Sequence, residues 1–291
     1  MNHTRKILTL VLALVLALTM AVPAFAAAET WESMSDGNSV LAPEAAYTPA
    51  SVKVAMDAYQ RYSDTWDAGR KKEAINIYNN EFKPAILALE FKAHNFTDAP
   101  RSQWYTKALD FVSATGRMNG VGGGRFDPQG TMTRAMAVTI LWRMNDSPNP
   151  KTAAGFRDVP ASAWYAKAVA WAVENKITTG TSSTSFDPDS PVTREQMATF
   201  FSRMMLALAG QTGGLNLTEA QLRRVLSKQY PDAAQISTYA LEHVLVCLET
   251  GVMKGNADGT FAPQAPITRA QGAQMLLNYY YFLLNETFRK F

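Results

Sequence analysis

Three Thr-Arg pairs, Thr133-Arg134, Thr193-Arg194 and Thr268-Arg269, stand directly before amphipathic stretches. A threonine in that place caps a helix, so each arginine takes the first helical position. There a planar fork of donors joins the N–H groups and the positive dipole end of a helix, a combination suited to a carboxylate. This is recognition chemistry, not bond-breaking chemistry. An isolated Thr-Arg fits a solvated helix start or an ion pair with a nearby aspartate better; its recurrence three times favours a ligand. Other sets of reactive residues are weaker. Asp127, Asp187, Asp189 and Asp258 lack the Asp-x-Asp-x-Asp-Gly run and terminal Glu of a calcium loop, so turn chemistry explains them. His243 and Cys247 lie four apart on one helix face, and His94 is the only other histidine beyond the leader, too few ligands for a metal. Residues 120–124 are glycine-rich, but their spacing and the lack of a preceding strand exclude a nucleotide loop. No catalytic residue, metal or cofactor is expected.

The arginines belong to a longer internal repeat. Phe96-Thr97-Asp98 returns as Phe156-Arg157-Asp158, Trp104-Tyr105 as Trp164-Tyr165, and Phe126-Asp127-Pro128 as Phe186-Asp187-Pro188, each 60 residues on. A third copy holds Tyr230-Pro231-Asp232, Phe261-Ala262-Pro263 and Thr268-Arg269, the last two 75 residues beyond the second copy. The 15 added residues are expected within 210–227, where Gly213-Gly214 marks a turn. Each copy predicts a first helix from about Trp104, Trp164 or Ser237. Trp104, Ala108, Phe111 and Val112, and likewise Trp164, Ala168, Trp171 and Ala172, share one apolar face. Gly116 and Gly251 fall where a helix end needs a left-handed residue, and Lys176 lies near that place in copy two. A loop rich in Gly, Asp, Ser and Pro leads to the second helix. Gln196 and Gln271 complete a capping box there, whereas Met136 does not. Units of about 50 residues are marginal alone. Three that share a core, with their second helices around a pseudo-threefold axis, form the economical arrangement.

The remaining chain sets the compartment. Arg5 and Lys6, an apolar run over 7–22, Pro23 and Ala24-Phe25-Ala26 predict a signal peptide over 1–26, the run being shorter than the roughly 20 residues that span a bilayer. Its removal leaves 265 residues with 26 basic and 25 acidic side chains, a balance that suits no nucleic-acid partner. No later run of apolar residues is long enough for a membrane span after cleavage. The composition, 47% hydrophobic and 18% charged, is that of a folded chain, and a lone Cys247 leaves it without an internal disulfide. Residues 27–93 read as a flexible lead-in followed by two or three amphipathic helices. Their apolar faces would hold Val52, Met56, Tyr59 and Tyr62, then Ile75, Tyr78, Phe82, Ile86 and Leu89. Tyr279 to Leu284 extend the last helix, either buried against these N-terminal helices or forming a partner surface. The fold class is therefore all-α. The expected segments are repeats at 94–147, 154–207 and 229–284, an inserted linker or helix at 208–228, and a C-terminal tail at 285–291.

The aromatic-x-Asp start, the Trp-bearing helix, the Gly-rich loop ending in Phe-x-Pro and the Thr-Arg helix start together resemble the S-layer homology domain. Gly255-Asn256-Ala257-Asp258-Gly259-Thr260-Phe261-Ala262-Pro263, followed by Thr268-Arg269-Ala270-Gln271, carries the resemblance most plainly. It implies a non-covalent anchor of a secreted protein of the bacterial cell envelope, built as three prongs around a helical centre. The grooves between prongs would bind secondary cell-wall polysaccharide, commonly through a pyruvylated amino sugar, with other surface-layer proteins as further partners. The resemblance carries glycan-binding roles onto Arg134, Arg194 and Arg269, onto Asp98, Asp158 and Asp232, onto Trp104 and Trp164, and onto Gly120, Gly180 and Gly255. The physical chemistry agrees: a pyruvyl ketal presents a carboxylate to arginine, glycine admits close backbone approach, and an indole face covers a sugar ring.

The copies depart from the pattern unequally. Copy two lacks the Asp-Gly before Phe186, and copy three has Ile236 or Tyr239 near the tryptophan position. Met136, Gln196 and Gln271 replace the signature glutamate. Three equal sites are not expected. Each aspartate is open to a second role as cap of a turn before the first helix, and each tryptophan to core packing. Phe126, Phe186 and Phe261 read as plugs that pin the loops. A non-catalytic anchor is the leading function. The alternatives are a wall-targeted enzyme such as a glycan hydrolase, or a surface-layer assembly protein. Asp57, Asp64, Asp67, Glu73, Glu81 and Glu90, scattered over a short helical prefix, argue against the enzyme.

Overall fold

In a computed structural model, the described residues are Trp31, 40–211 and 214–287. The expected signal peptide and Gly213 of the expected turn lie outside them. The elements in chain order are α1 (Pro49–Asp67), α2 (Lys71–Ile77), α3 (Lys83–Leu87), α4 (Thr106–Ala114), α5 (Arg134–Met144), α6 (Ala166–Glu174), α7 (Arg194–Leu208), α8 (Glu219–Leu226), α9 (Leu241–Glu249) and α10 (Arg269–Thr287). Among the described residues the only extended pairing is a handful of isolated bridges, so the all-α class holds. The chain divides into two compact units, one over Asp127–Leu276 and one that joins the chain up to Phe126 to the chain from Leu277. The division runs through the first repeat, within the loop that leads to its second helix.

In the unit that ends at Phe126, Thr48 caps α1 by accepting the Ser51 N–H, and Pro49 supplies a preset first position. Val52, Ala55, Tyr59 and Tyr62 recur at helical spacing and are buried. A π-helical turn, Tyr78–Phe82, joins α2 to α3. Phe82 stacks on Tyr62, with ring centres 6.3 Å apart and an interplanar angle of 8°. Ile75, expected on this face, is exposed instead. The end of α10 is buried in the same unit: Tyr280 stacks on Phe111 at 5.0 Å, meets Phe91 edge-on at 5.5 Å and shares a hydroxyl hydrogen bond with Tyr47. Burial raises the Tyr47 hydroxyl to about 12, despite its hydrogen bonds to Tyr280 and Ala42.

The Asp127–Leu276 unit shows how the repeats interlock. Met132, Val192 and Ile267 each precede the capping threonine of a second helix, and all three are fully buried. The Met132 N–H donates to Ile267 O at 2.9 Å, Ile267 to Val192 O at 3.0 Å and Val192 to Met132 O at 2.9 Å. Three hydrogen bonds thus close a ring with one member from each repeat. The capping boxes form at Thr193 with Gln196 and at Thr268 with Gln271, while the Thr133 side chain accepts the Met136 N–H without a reciprocal side-chain bond. First helices end as the sequence expects: Gly116, Lys176 and Gly251 have φ of 67°, 57° and 71°. The insertion holds α8, capped by Thr218 and Gln221.

Candidate functional site: the arginine–loop junctions

Each second helix starts against the loop of another repeat. Arg134 and Ala135 donate their N–H groups to Ser190 O and Pro188 O at 2.9 and 3.0 Å. Arg194 and Glu195 do the same to Ala265 O and Pro263 O at 2.9 and 3.0 Å, and Arg269 and Ala270 to Gly130 O and Pro128 O at 2.8 and 2.9 Å. The helix N–H groups expected to be free for an anion are therefore taken by loop carbonyls. Threonine caps take the next donors in turn. Beyond these backbone donors, each helix start carries its arginine side chain.

Arg134 and Arg194, at the same register of two repeats, differ in how their side chains are used. Both are buried, at 4% exposed for Arg134 and 6% for Arg194. Each lies over the ring of the next repeat's plug, Arg134 on Phe186 and Arg194 on Phe261, both at 4.9 Å. Arg194 spends its donors on the fold, giving Nε to Phe261 O at 2.6 Å and Nη2 to Lys254 O at 2.9 Å. Arg134 gives only Nε, to Phe186 O at 2.9 Å. Its terminal nitrogens have no hydrogen-bond partner among the described residues. Burial pulls both guanidinium values below the ordinary arginine range. Asp187, Tyr239 and Asp158 oppose the shift at Arg134, and Tyr230 and Asp232 oppose it at Arg194. Arg269 is also buried.

The aspartates staple the loops, and Asp232, which stands at the cap position of the turn before the first helix, makes no side-chain cap hydrogen bond there. Asp158 accepts Phe186 N–H at 2.9 Å, Asp187 N–H at 2.7 Å and the Ser185 hydroxyl. Asp232 accepts Phe261 and Ala262 N–H at 2.9 and 2.6 Å, and Asp98 accepts Phe126 N–H at 2.8 Å. Partial burial pushes the Asp158 carboxyl up, but its hydrogen bonds from Ser185, Phe186 and Asp187 outweigh that and hold it below the usual range. The staples turn each plug phenylalanine inward, and Phe126, Phe186 and Phe261 are fully buried. The glycines allow close approach to the ring that opens each repeat. A Cβ on Gly180 would stand 2.6 Å from Phe156 and 2.5 Å from Ser185 O; one on Gly255, 2.2 Å from Tyr230; one on Gly120, 3.1 Å from Phe96 and 2.4 Å from Arg125 O.

Trp104 and Trp164 leave the apolar face that their spacing suggested. Each precedes its helix by two residues and is open to solvent, 59% and 61% exposed. An edge contact props each ring on the next residue, Tyr105 at 5.3 Å and Tyr165 at 5.2 Å. In copy three the exposed aromatic at this register is Tyr239, while Ile236 is buried. The Tyr239 hydroxyl donates to Glu195 Oε1 at 3.1 Å, and burial with the Glu195 charge raises it to about 12. Glu195, which also accepts from the Ser237 N–H and hydroxyl at 2.9 and 2.7 Å, is a polar centre that pattern reading missed. His243 faces Ser202 Oγ at 3.0 Å and Cys247 Sγ faces Ala198 O at 3.4 Å, both as packing. Among the described residues no group of three His, Cys, Asp or Glu could hold a metal, and no helix is long and apolar enough to cross a membrane.

Comparison with known proteins places these features. The S-layer homology domain matches residues 95–137, 155–198 and 229–273. The chain is 30% identical over 205 residues, 69% of its length, to a surface-layer 125 kDa protein of Lysinibacillus sphaericus. It is 29% identical over 184 residues, 63% of its length, to an endoglucanase of a Bacillus species, strain KSM-635. It is also 26% identical over 163 residues, 55% of its length, to a cellulosome-anchoring protein of Acetivibrio thermocellus. These alignments span 16%, 18% and 34% of the three relatives. The repeat that organises this chain is the S-layer homology domain, present in three tandem copies.

Proposed function

We propose that this secreted cell-envelope protein anchors at the bacterial cell surface by binding wall polysaccharide non-covalently, with no chemistry of its own. The observation that carries the reading is Arg134: a buried guanidinium with two terminal nitrogens unpaired, beside the loop of the second repeat. Those open terminal donors sit at the edge of an otherwise buried guanidinium, and a carboxylate on a sugar, such as a pyruvyl ketal, matches the fork. Asp158 and Gly180 shape the loop beside it, and Trp164 offers an open indole in the same repeat. The closed ring through Met132, Val192 and Ile267 supports a threefold arrangement of the repeats, with Arg194 and Arg269 at equivalent helix starts. The sites are unequal, since Arg194 is committed to Phe261 O and Lys254 O. The endoglucanase relative supports no hydrolase reading, because the alignment covers 18% of that protein.

Co-sedimentation with purified walls, with and without their pyruvyl groups, tests the proposal. Wild-type protein is expected to bind only walls that carry the ketal, with Arg134→Ala losing the most affinity. Equal binding to both wall preparations, or by all three Arg→Ala variants, would remove the glycan reading.

A further inference from the structure

We propose that the segment between α3 and α4 carries an edge through which two copies of this chain pair as antiparallel strands. After α3 the chain runs beside Tyr47, to which Phe91 forms an antiparallel bridge. Thr48 N–H donates to Glu90 O at 2.8 Å and Lys92 N–H to Ala46 O at 2.9 Å. Phe91 stands between those bonds, so its own N–H and C=O point to the opposite side. By the same alternation the Leu89 C=O and the Ala93 N–H join them on that outer edge. None of these outer groups has a hydrogen-bond partner among the described residues. The Leu89 N–H is spent on Ile86 O at 3.3 Å. Residues 87–95 contain no proline to block pairing, and Leu87–Phe91 border an open cleft of about 690 Å³.

Side chains fix the register and the occupant. Phe91 stacks on Tyr47 at 4.8 Å and meets Phe111 edge-on at 5.0 Å, so its ring faces the core of its unit. Glu90 and Lys92 therefore face the other way, and both are exposed. Neither has an ion-pair partner among the described residues. A two-fold axis at Phe91 would bring two such edges together. Phe91 of each copy then exchanges N–H···O=C bonds with Phe91 of the other, and the Ala93 N–H of each reaches Leu89 O of the other. Every unpaired group of the edge is used once. In that register Glu90 of one copy lies directly opposite Lys92 of the other, and the two-fold axis repeats the pair. A lysine on an open edge ordinarily discourages pairing, but here the register supplies its counter-charge. The neighbouring registers, centred on Glu90 or on Lys92, would oppose like charges instead. The edge is thus complementary to itself, which identifies its occupant as a second copy.

Residues 89–93 lie outside the stretches matched as S-layer homology domain, so the pairing belongs to this chain's prefix and not to its repeats. The contact is short, and the dimer is expected to be weak and reversible. On a wall, each member would bring its own anchoring module and raise the hold of the other through effective concentration. That consequence rests on the anchoring function proposed above; the pairing itself does not.

Sedimentation velocity of the secreted protein over a rising concentration series tests the inference. A reversible shift from monomer to dimer is expected. Glu90→Lys or Lys92→Glu alone sets like charges opposite each other at both places and should weaken the dimer by about tenfold or more. The double variant, Glu90→Lys with Lys92→Glu, restores opposite charges and should recover wild-type association. An equimolar mixture of the two single variants should dimerise better than either alone. Both side chains are exposed, so the variants keep the fold, and circular dichroism checks this. Protein that stays monomeric throughout the series, or a dimer that both single variants leave unchanged, would overturn the inference. A charge-dependent dimer that fails to sediment with walls would retain the pairing and remove only the anchoring function.

Discussion

Arg134 and Arg194 occupy the same register of two repeats, yet their hydrogen bonds predict opposite consequences of removal. Arg194→Ala leaves Phe261 O and Lys254 O without donors, at about 1–3 kcal/mol for each buried acceptor. It also removes the contact with the Phe261 face, worth about 0.5–2 kcal/mol. Relief from burying a charge offsets part of this, which leaves a net loss of about 3 kcal/mol. Arg134→Ala orphans one carbonyl, Phe186 O, and removes its contacts with the Phe186 and Phe200 faces; with the same relief from burying a charge, its net loss is about 2 kcal/mol. Urea unfolding followed by circular dichroism should rank the two variants in that order, with the Arg194 variant less stable by about 1 kcal/mol. Wall binding by the folded proteins should rank them the other way. The unpaired fork of Arg134 contributes to the ligand, so its loss should cost about tenfold or more in affinity, and loss of Arg194 should cost less. Equal destabilisation, or binding losses that follow the stability losses, would reduce both arginines to packing.

Further predictions test the surrounding geometry. Gly180 has φ of +83°, and a Cβ there would meet Ser185 O at 2.5 Å, so Gly180→Ala should destabilise by more than about 2 kcal/mol in the same urea assay. Trp164→Ala should leave stability within about 0.5 kcal/mol of wild type while lowering wall affinity, because the indole is exposed. Burial, with the Arg203 charge, depresses His243 to about 4, whereas its ordinary value is 6.5. The unfolded chain therefore binds the proton more readily, and stability should fall as pH drops from 6.5 towards 4, by at most about 3 kcal/mol. His243→Gln should flatten that window in pH-dependent denaturation. The Asp158 carboxyl is held low, so its contribution is present above the unfolded-state value near 3.8 and lost as pH falls through the folded-state value. Asp158→Asn should remove this acid-dependent part of the melting curve.

Repeat register, helix caps and the left-handed ends at Gly116, Lys176 and Gly251 were legible because each is local: a few neighbouring residues decide the backbone. The plugs Phe126, Phe186 and Phe261 were legible from recurrence alone. The use of each arginine was not, since Arg134 meets Phe186 and Arg194 meets Lys254 through pairing of distant segments, which no spacing encodes. The tryptophans were misplaced for a physical reason. Trp104 and Trp164 fit the helical period of the residues that follow, but the helices begin at Thr106 and Ala166, and the turn before them points the indoles outward. Tyr105 takes the buried place beside Trp104. Ile75 was misread because an amphipathic count cannot tell a covered face from an open one.

Anchoring through a wall polysaccharide, and not through the peptidoglycan itself, makes binding depend on that glycan. The most direct measurement is co-sedimentation of the wild-type protein with walls before and after acid extraction of their secondary polysaccharide, with the extracted material then added back as a soluble competitor. Binding to intact walls, loss on extraction, and inhibition by the soluble glycan are expected. Undiminished binding to extracted walls would contradict anchoring through that glycan.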